Sequence, residues 1–474
     1  MSTLFGSLNV ARQSLHNMQL GITVAGHNMA NATTEGYNRQ KVVISSEKQS
    51  NGSHVLGAGA YVNQVQRVHD VLLENRIQDH QSDTGLLESQ KEMLDFMESS
   101  LGQFIDRQSM SVEGTSASQG IGTPSSIAEY LDQFFNSISS LSNDPTSSAL
   151  RQELVNNANS LTNKLNGNIQ AVDTLQSQIL NEVTNTVEEI NRLITQISEL
   201  NYDIVSDEKA HRGESNDLRD KRQVKVEELA ELINIDKTVD SDGLMTIYLD
   251  GVQMSGLKTS EKQIESFIKP DGSIGLRTVG DEQETGFTSG RLAGLSRVRD
   301  VILPDLKTKF DTFASTLISE VNAVYQTGTD LLGNSGGNFF EGTNASDIKI
   351  NPDVMDNPAK IQGSLDGEKG DNTIFLRLFD LSNKELPSLN NLTFSENYAD
   401  ITGNFGNTIK AIEDSIEDNS AVGDMLAKKR DSISGVSLDE EMTNLIQFQR
   451  AYQASARIIN TLDEMISTAI NLGR

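Results

Sequence analysis

Hydrophobic residues at the N-terminus follow a strict spacing. Leu4, Leu8, Ala11, Leu15, Met18, Ile22, Ala25 and Met29 alternate in steps of four and three. That is the heptad seam of a helix that packs on another helix, with Ser2 or Thr3 as its cap. The C-terminus repeats the pattern over Leu438, Met442, Leu445, Phe448, Tyr452, Ser455, Ile459, Leu462, Ile466 and Ala469, and one pair of consecutive three-residue steps meets at Phe448. Such a stammer overwinds a coiled coil locally. Ser437 with Glu440 forms the sequence of a capping box at its start. The spacing predicts that the two ends form one coiled coil. Neither seam can bury itself alone, so it is expected to stay unformed in a free subunit and to close on assembly.

Proline placement agrees. All seven Pro fall between Pro124 and Pro387, which leaves both ends free for long helices. Between them, Ile127 to Leu141 predicts a short helix, and Asp144-Pro145 a cap with a first-position Pro. Apolar positions from Leu150 to Ile204 predict one or two long bundle helices. Leu292–Val324 and Phe394–Ile416 join that bundle. Ser109–Ser126 is polar and rich in Ser and Gly, which suits a surface loop.

Strand signals concentrate in Ile233–Arg277. There Asp242-Gly243, Asp250-Gly251 and Asp271-Gly272 punctuate short apolar runs, a hairpin signature. Gly57-Ala58-Gly59 reads as a turn between strands. The expected fold is mainly α: terminal coiled-coil helices (1–40 with 436–474), an elongated helical body (41–232, 288–330 and 371–435) and an inserted β domain (233–287). Residues 331–370 form a loop or β region of open membership.

Charge and composition narrow the function. The formal net charge of −28 repels phosphate and anionic headgroups, so neither nucleic acid nor membrane is an expected partner. No Cys is present, which removes disulfides and thiolate metal sites. The start lacks a basic segment followed by an apolar block, so any export is expected to proceed without a cleaved signal peptide. His16, His27, His54, His69, His80 and His211 are scattered, and no phosphate-binding loop or nucleophile elbow occurs. Asp240-Ser241-Asp242-Gly243 lacks the Glu a calcium loop requires. No catalytic, cofactor-binding or metal-ligating residue is expected, and the chain reads as a non-enzyme.

Two terminal motifs carry a resemblance. His27-Asn28-Met29-Ala30-Asn31 followed by Thr34-Glu35-Gly36-Tyr37-Asn38-Arg39-Gln40 resembles the signature of bacterial flagellar axial proteins, with Asn28, Asn31, Gly36, Tyr37, Arg39 and Gln40 as its marks. Ser434–Glu441, Asn444-Leu445-Ile446 and Ala451–Ala456 resemble its C-terminal counterpart. Asp144-Pro145 with Arg151, Asp217–Arg222, and Ser289–Leu295 leading to Asn322 and Phe339-Phe340 are similar to the hook-associated protein 1 (FlgK) family. That resemblance implies a structural junction between hook and filament, built as a ring of subunits exported unfolded by the flagellar type III system. It implies hook protein, hook-associated protein 3 and further copies of the chain as partners, and an export chaperone of the FlgN kind on the C-terminal helix. No cofactor is implied. The alternatives are hook protein itself, or a secreted enzyme carried on an axial scaffold.

Overall fold

The structure is a computed structural model that describes residues 2–51, 54–101, 126–211, 213–256 and 262–471. The predicted Ser109–Ser126 loop lies outside these residues, apart from Ser126. That serine caps the helix that follows, and with Glu129 it forms a complete capping box. None of the helices among the described residues is long and apolar enough to cross a membrane.

Chain order starts with α1 (Ser2–Ala30), a hairpin of β1 (Gln40–Asn51) and β2 (His54–Arg67), and α2 (Val71–Leu101). Then come α3 (Ile127–Asn143), α4 (Ser148–His211) and α5 (Asn216–Leu232). The 64 residues of α4 are one uninterrupted helix and the spine of the body. Its buried stripe runs Leu154, Ala158, Leu161, Leu165, Ile169, Val172 and on to Ile197 and Ile204, the spacing of a helix covered along one face. Asp144-Pro145 forms a turn instead of capping this helix. The Ser147 hydroxyl accepts from Leu150 N–H, and the Arg151 guanidinium donates to the Pro145 carbonyl at 2.7 and 2.9 Å.

Two three-stranded antiparallel sheets follow: β3 (Asp236–Val239), β4 (Met245–Leu249) and β5 (Val252–Gln253), then β6 (Ile264–Ile268), β7 (Ile274–Thr278) and β8 (Glu284–Thr285). All three Asp-Gly pairs sit at their turns. Asp250 and Gly251 both take positive φ (46° and 77°), the requirement of a two-residue hairpin loop. Both sheets dock on α4 through paired amide bonds. Asn191 bonds both backbone groups of Ile264, and Asn201 both of Met245. Their inward residues Ile247, Leu249, Ile264 and Leu276 join the α4 core.

α6 (Gly290–Arg297) runs through a π-helical stretch, Val298–Ile302, into α7 (Leu303–Tyr325). A short pair, β9 (Phe340–Glu341) and β10 (Lys349–Ile350), and the small helices α8 (Pro352–Asp356) and α9 (Thr373–Asp380) close one end. α10 (Phe394–Ser434) returns along α2, and α11 (Leu438–Asn471) ends the chain. One continuous apolar core extends from Leu94 to Ile412, and a small separate cluster of Leu73, Ile77 and Leu426 joins α2 to α10. No described residue of α1 or α11 belongs to either.

The β1–β2 hairpin fills residues that the sequence reading gives to the helical body, with strands there only on either side of Gly57-Ala58-Gly59. Its strands are the longest among the described residues, 12 and 14 residues. Gly57-Ala58-Gly59 lies within β2, where a register shift opposite Glu47 and Lys48 makes a bulge, instead of forming a turn.

Candidate functional site

α1 and α11 pack against each other, antiparallel, within the single chain. Ser14 meets Ser455 (2.9 Å between hydroxyls), Gly21 meets the Phe448 ring, and Asn28 meets Glu441. These contacts advance by seven residues on both helices, so a heptad register is present. The stammer residue Phe448 lies flat over Gly21. A Cβ there would come within 2.9 Å of its ring, so the ring takes the space that glycine leaves.

The face of α1 that is buried differs from the predicted seam. Ala11, Asn17, Gly21, Val24, Ala25 and Asn28 are buried, whereas Leu8, Leu15, Met18, Ile22 and Met29 are only half-buried. Ala11 and Ala25 are common to both sets. Leu4 lies in α1 with its side chain outside the described residues. Small side chains line the contact because α1 is approached from two directions. The hairpin covers it too: Asn17 donates to the Ala60 carbonyl, and Val10 lies on Gly59.

On α11, Leu445, Phe448, Ile459, Leu462 and Ile466 are half-buried, while Leu438, Met442 and Tyr452 are exposed, as are Ile446, Ile458 and Met465. Only Glu441 and Ser455 are buried among its described side chains. The predicted capping box is half formed. Glu440 N–H reaches the Ser437 hydroxyl at 3.5 Å, and the Glu440 carboxylate pairs with Arg39.

The signature residues meet where this helix pair joins the body. Asn28 donates to the Gln40 carbonyl (2.8 Å) and to Glu441 (3.1 Å), and its own carbonyl accepts from Gln40 N–H (2.9 Å) and the Tyr37 hydroxyl (2.7 Å). All its hydrogen-bonding capacity is used. Arg39 donates to Glu441 at 2.7 Å, and its backbone N–H bonds the Ser434 carbonyl at the end of α10. Gln40 reaches Asp217 on α5 (2.8 Å). One turn on, the Asp220 carboxylate accepts from Asn38 twice and from Arg67 (2.8 Å). Asn31 closes α1 by donating to the His27 carbonyl, and Gly36 at φ +71° lies against Val224. Glu35 is exposed and takes no part.

Burial, aided by the charges of Asp217, Asp220 and Glu441, holds the Tyr37 phenol protonated well beyond its ordinary range. Burial beside Arg219 and Arg67 pushes Arg222 down to about 10, while Arg222 donates to Asn201 and to the Gly243 carbonyl. A network this enclosed fixes geometry, because each lost partner strands a buried polar group. Among the described residues no cluster of His, Asp and Glu could hold a metal ion.

The interior motifs are also fastenings. The Asn322 side chain bonds the backbone of Phe339 and Phe340. Gly290, at φ +82°, admits the backbone of Leu232 and Ile233, and Arg291 bridges Glu92 and Glu182.

Residues 120–340 match the model of the flagellar hook-associated protein FlgK helical domain, and 429–472 match that of the flagellar basal body rod FlgEFG protein C-terminal region. Flagellar hook-associated protein 1 of Bacillus subtilis (strain 168) is 24% identical over 519 residues, covering 99% of each chain. Those of Salmonella typhimurium and Escherichia coli K12 are 22% and 23% identical, each over 98% of this chain and 99% of their own. The chain belongs to the FlgK family of flagellar hook-associated proteins. The solved structure of the flagellar hook junction protein FlgK from Burkholderia pseudomallei aligns with 56% of this chain and 46% of its own, at 22% identity and a TM-score of 0.47. As in the rest of the FlgK family, its place is the flagellum and its role structural.

Charge divides this FlgK-family chain as sharply as packing does. Residues 1–69 carry five Lys and Arg against two Asp and Glu, and 438–474 carry three against five. The terminal unit is therefore nearly neutral at +1, and residues 70–437 hold a net −29.

Proposed function

We propose that the chain joins hook to filament as a non-catalytic ring of subunits, each contributing its α1–α11 pair to the inner wall. One observation carries this. α11 keeps Leu438, Met442, Ile446, Ile458 and Met465 between 43% and 55% exposed, a poor arrangement for a helix that stays alone in water. Neighbouring subunits would cover that surface, each Leu, Ile or Met contributing about 1.5–3 kcal/mol when fully buried. Near-neutrality of the terminal unit lets many copies pack closely without mutual repulsion.

The family supplies the remaining parts of the proposal. Hook protein would lie on one side and hook-associated protein 3 on the other. The chain would leave the cell unfolded through the flagellar type III system. An export chaperone of the FlgN kind would hold α11 beforehand. The match to a FlgK helical domain over 120–340 favours this over a reading as hook protein.

Electron microscopy of a deletion strain tests the role. Hooks without filaments are expected, and normal filaments would refute it. Leu462→Asp places a charge on the half-buried face of α11 and is expected to abolish assembly with the melting of the body unchanged. A large fall in body stability would assign Leu462 to the body fold instead.

A further inference from the structure

The exposed apolar residues of α11 are not spread evenly. At 3.6 residues per turn, taking the Phe448 side chain as the direction of α1, Leu438, Met442 and Ile446 project roughly 80–160° to one side. Ile458 and Met465 project roughly 80–100° to the other. Both groups are exposed. The first flank is apolar next to the body and polar further out, at Gln449, Gln453 and Asn460. The second is polar next to the body, at Glu440 and Gln447, and apolar further out. The centres of the two patches lie about 29 Å apart along the helix at 1.5 Å per residue.

We infer that these patches are the two halves of one contact between copies, in which Leu438, Met442 and Ile446 of one subunit dock on Ile458 and Met465 of the next. The inference rests on the assembly reading above and specifies its register. A second copy is the occupant the charges favour. The body is strongly acidic and repels its like, while the terminal unit is nearly neutral, so self-association is least opposed along the α1–α11 pair. Two different patches on opposite flanks make a heterologous contact that propagates. The patch offset also staggers the paired copies by about 29 Å along the rod. Paired copies in the ring are therefore stepped along its axis instead of level.

The chain's lack of cysteine makes the test clean. Met442→Cys, Met465→Cys and the double variant replace the native gene, and isolated flagella are oxidised and run on non-reducing gels. The double variant is expected to give a ladder beyond dimer, and the two single variants are expected to stay monomeric. Dimers from Met442→Cys alone would show a two-fold contact and overturn the pairing. So would filament-bearing hooks that yield no ladder, although the junction role would then stand. If the cysteine variants fail to assemble, a charge swap decides. Met442→Lys and Met465→Glu should each reduce filament-bearing hooks at least tenfold, and their combination should restore them to within twofold of wild type. Absence of rescue would overturn the pairing.

Discussion

The body and the terminal unit are held together by different chemistry. The body buries Phe134, Phe310, Phe313, Phe340, Phe375 and Phe394 with long aliphatic stripes in one core. The described residues of α1 bury Ala11, Val24 and Ala25 as their only apolar side chains, and those of α11 bury none. Asn17, Asn28, Asn38, Gln40 and Glu441 are buried there instead. Apolar burial scales with area and makes a region stable alone. Buried hydrogen bonds contribute little net stability each but penalise every departure from one geometry. The terminal unit is therefore specified more strongly than it is stabilised, which suits a part that other subunits complete.

The largest effect expected is in the body. Phe134, in ring contact with Phe135, Phe339 and Phe340, should cost about 3–5 kcal/mol when cut to Ala. Denaturant unfolding of the purified chain would show a lower midpoint. If the midpoint holds and filaments are lost instead, the body is not the independently stable part.

Glu441→Ala is the opposing case. It takes one acceptor from each of Asn28 and Arg39, which keep the Gln40 carbonyl and Glu440, and about 1–3 kcal/mol of attachment should go with the lost acceptor. Limited proteolysis should release the helix pair faster by several-fold to a hundredfold, while the body melts as before. A joint fall in both readouts would mean that the polar network supports the core as well.

Sequence patterning located α1, α3, α4, α7, α10 and α11 because periodicity reports burial along one face, and α4 has the longest such stripe, but it passed over α2 and α5. It could not say which neighbour covers that face. On α1 the large residues Leu8, Leu15, Ile22 and Met29 were the conspicuous seam, yet close packing against α11 and the hairpin selects the small and polar residues between them. Residues 40–67 were legible only as strands about Gly57-Ala58-Gly59, because Ser, Gln, Lys and Gly dilute the scattered Val and Ile; Asn51-Gly52, a hairpin cue equal to Asp-Gly, was passed over. The network had no local signal either. Asn28 and Glu441 are 413 positions apart, so motif matching could flag both ends without showing that they touch.

Gly21→Ala sharpens the contrast with a single methyl. The new Cβ would stand 2.9 Å from the Phe448 ring, and the two helices must separate or the ring must turn. A cost of about 1–3 kcal/mol, the usual range for overpacking, is expected. A probe of α1–α11 separation, such as spin labels at Arg12 and Arg457, should register it. Pairing Gly21→Ala with Phe448→Leu should recover most of the loss, whereas a general helix-propensity effect would leave the double variant as perturbed as the single.

The smallest effect separates the two regions by pH. In the body, Asp371 accepts from the Thr373 hydroxyl and N–H and from Leu365 N–H, and these bonds hold its carboxyl down at about 2. Because the folded value lies below the ordinary 3.8, the carboxylate favours the closed loop above about pH 4, and that contribution fades as pH falls through 2. Amide exchange at Leu365 and Thr373 should therefore quicken between pH 4 and pH 2, beyond the intrinsic trend. Asp371→Asn should remove this pH dependence without altering the pairing of α1 and α11. The group is half-buried within its own loop, so only the loop should respond. If α1–α11 exchange followed the same titration, the acid-sensitive body loops and the terminal rod would be one cooperative unit, and the division drawn between them would fail.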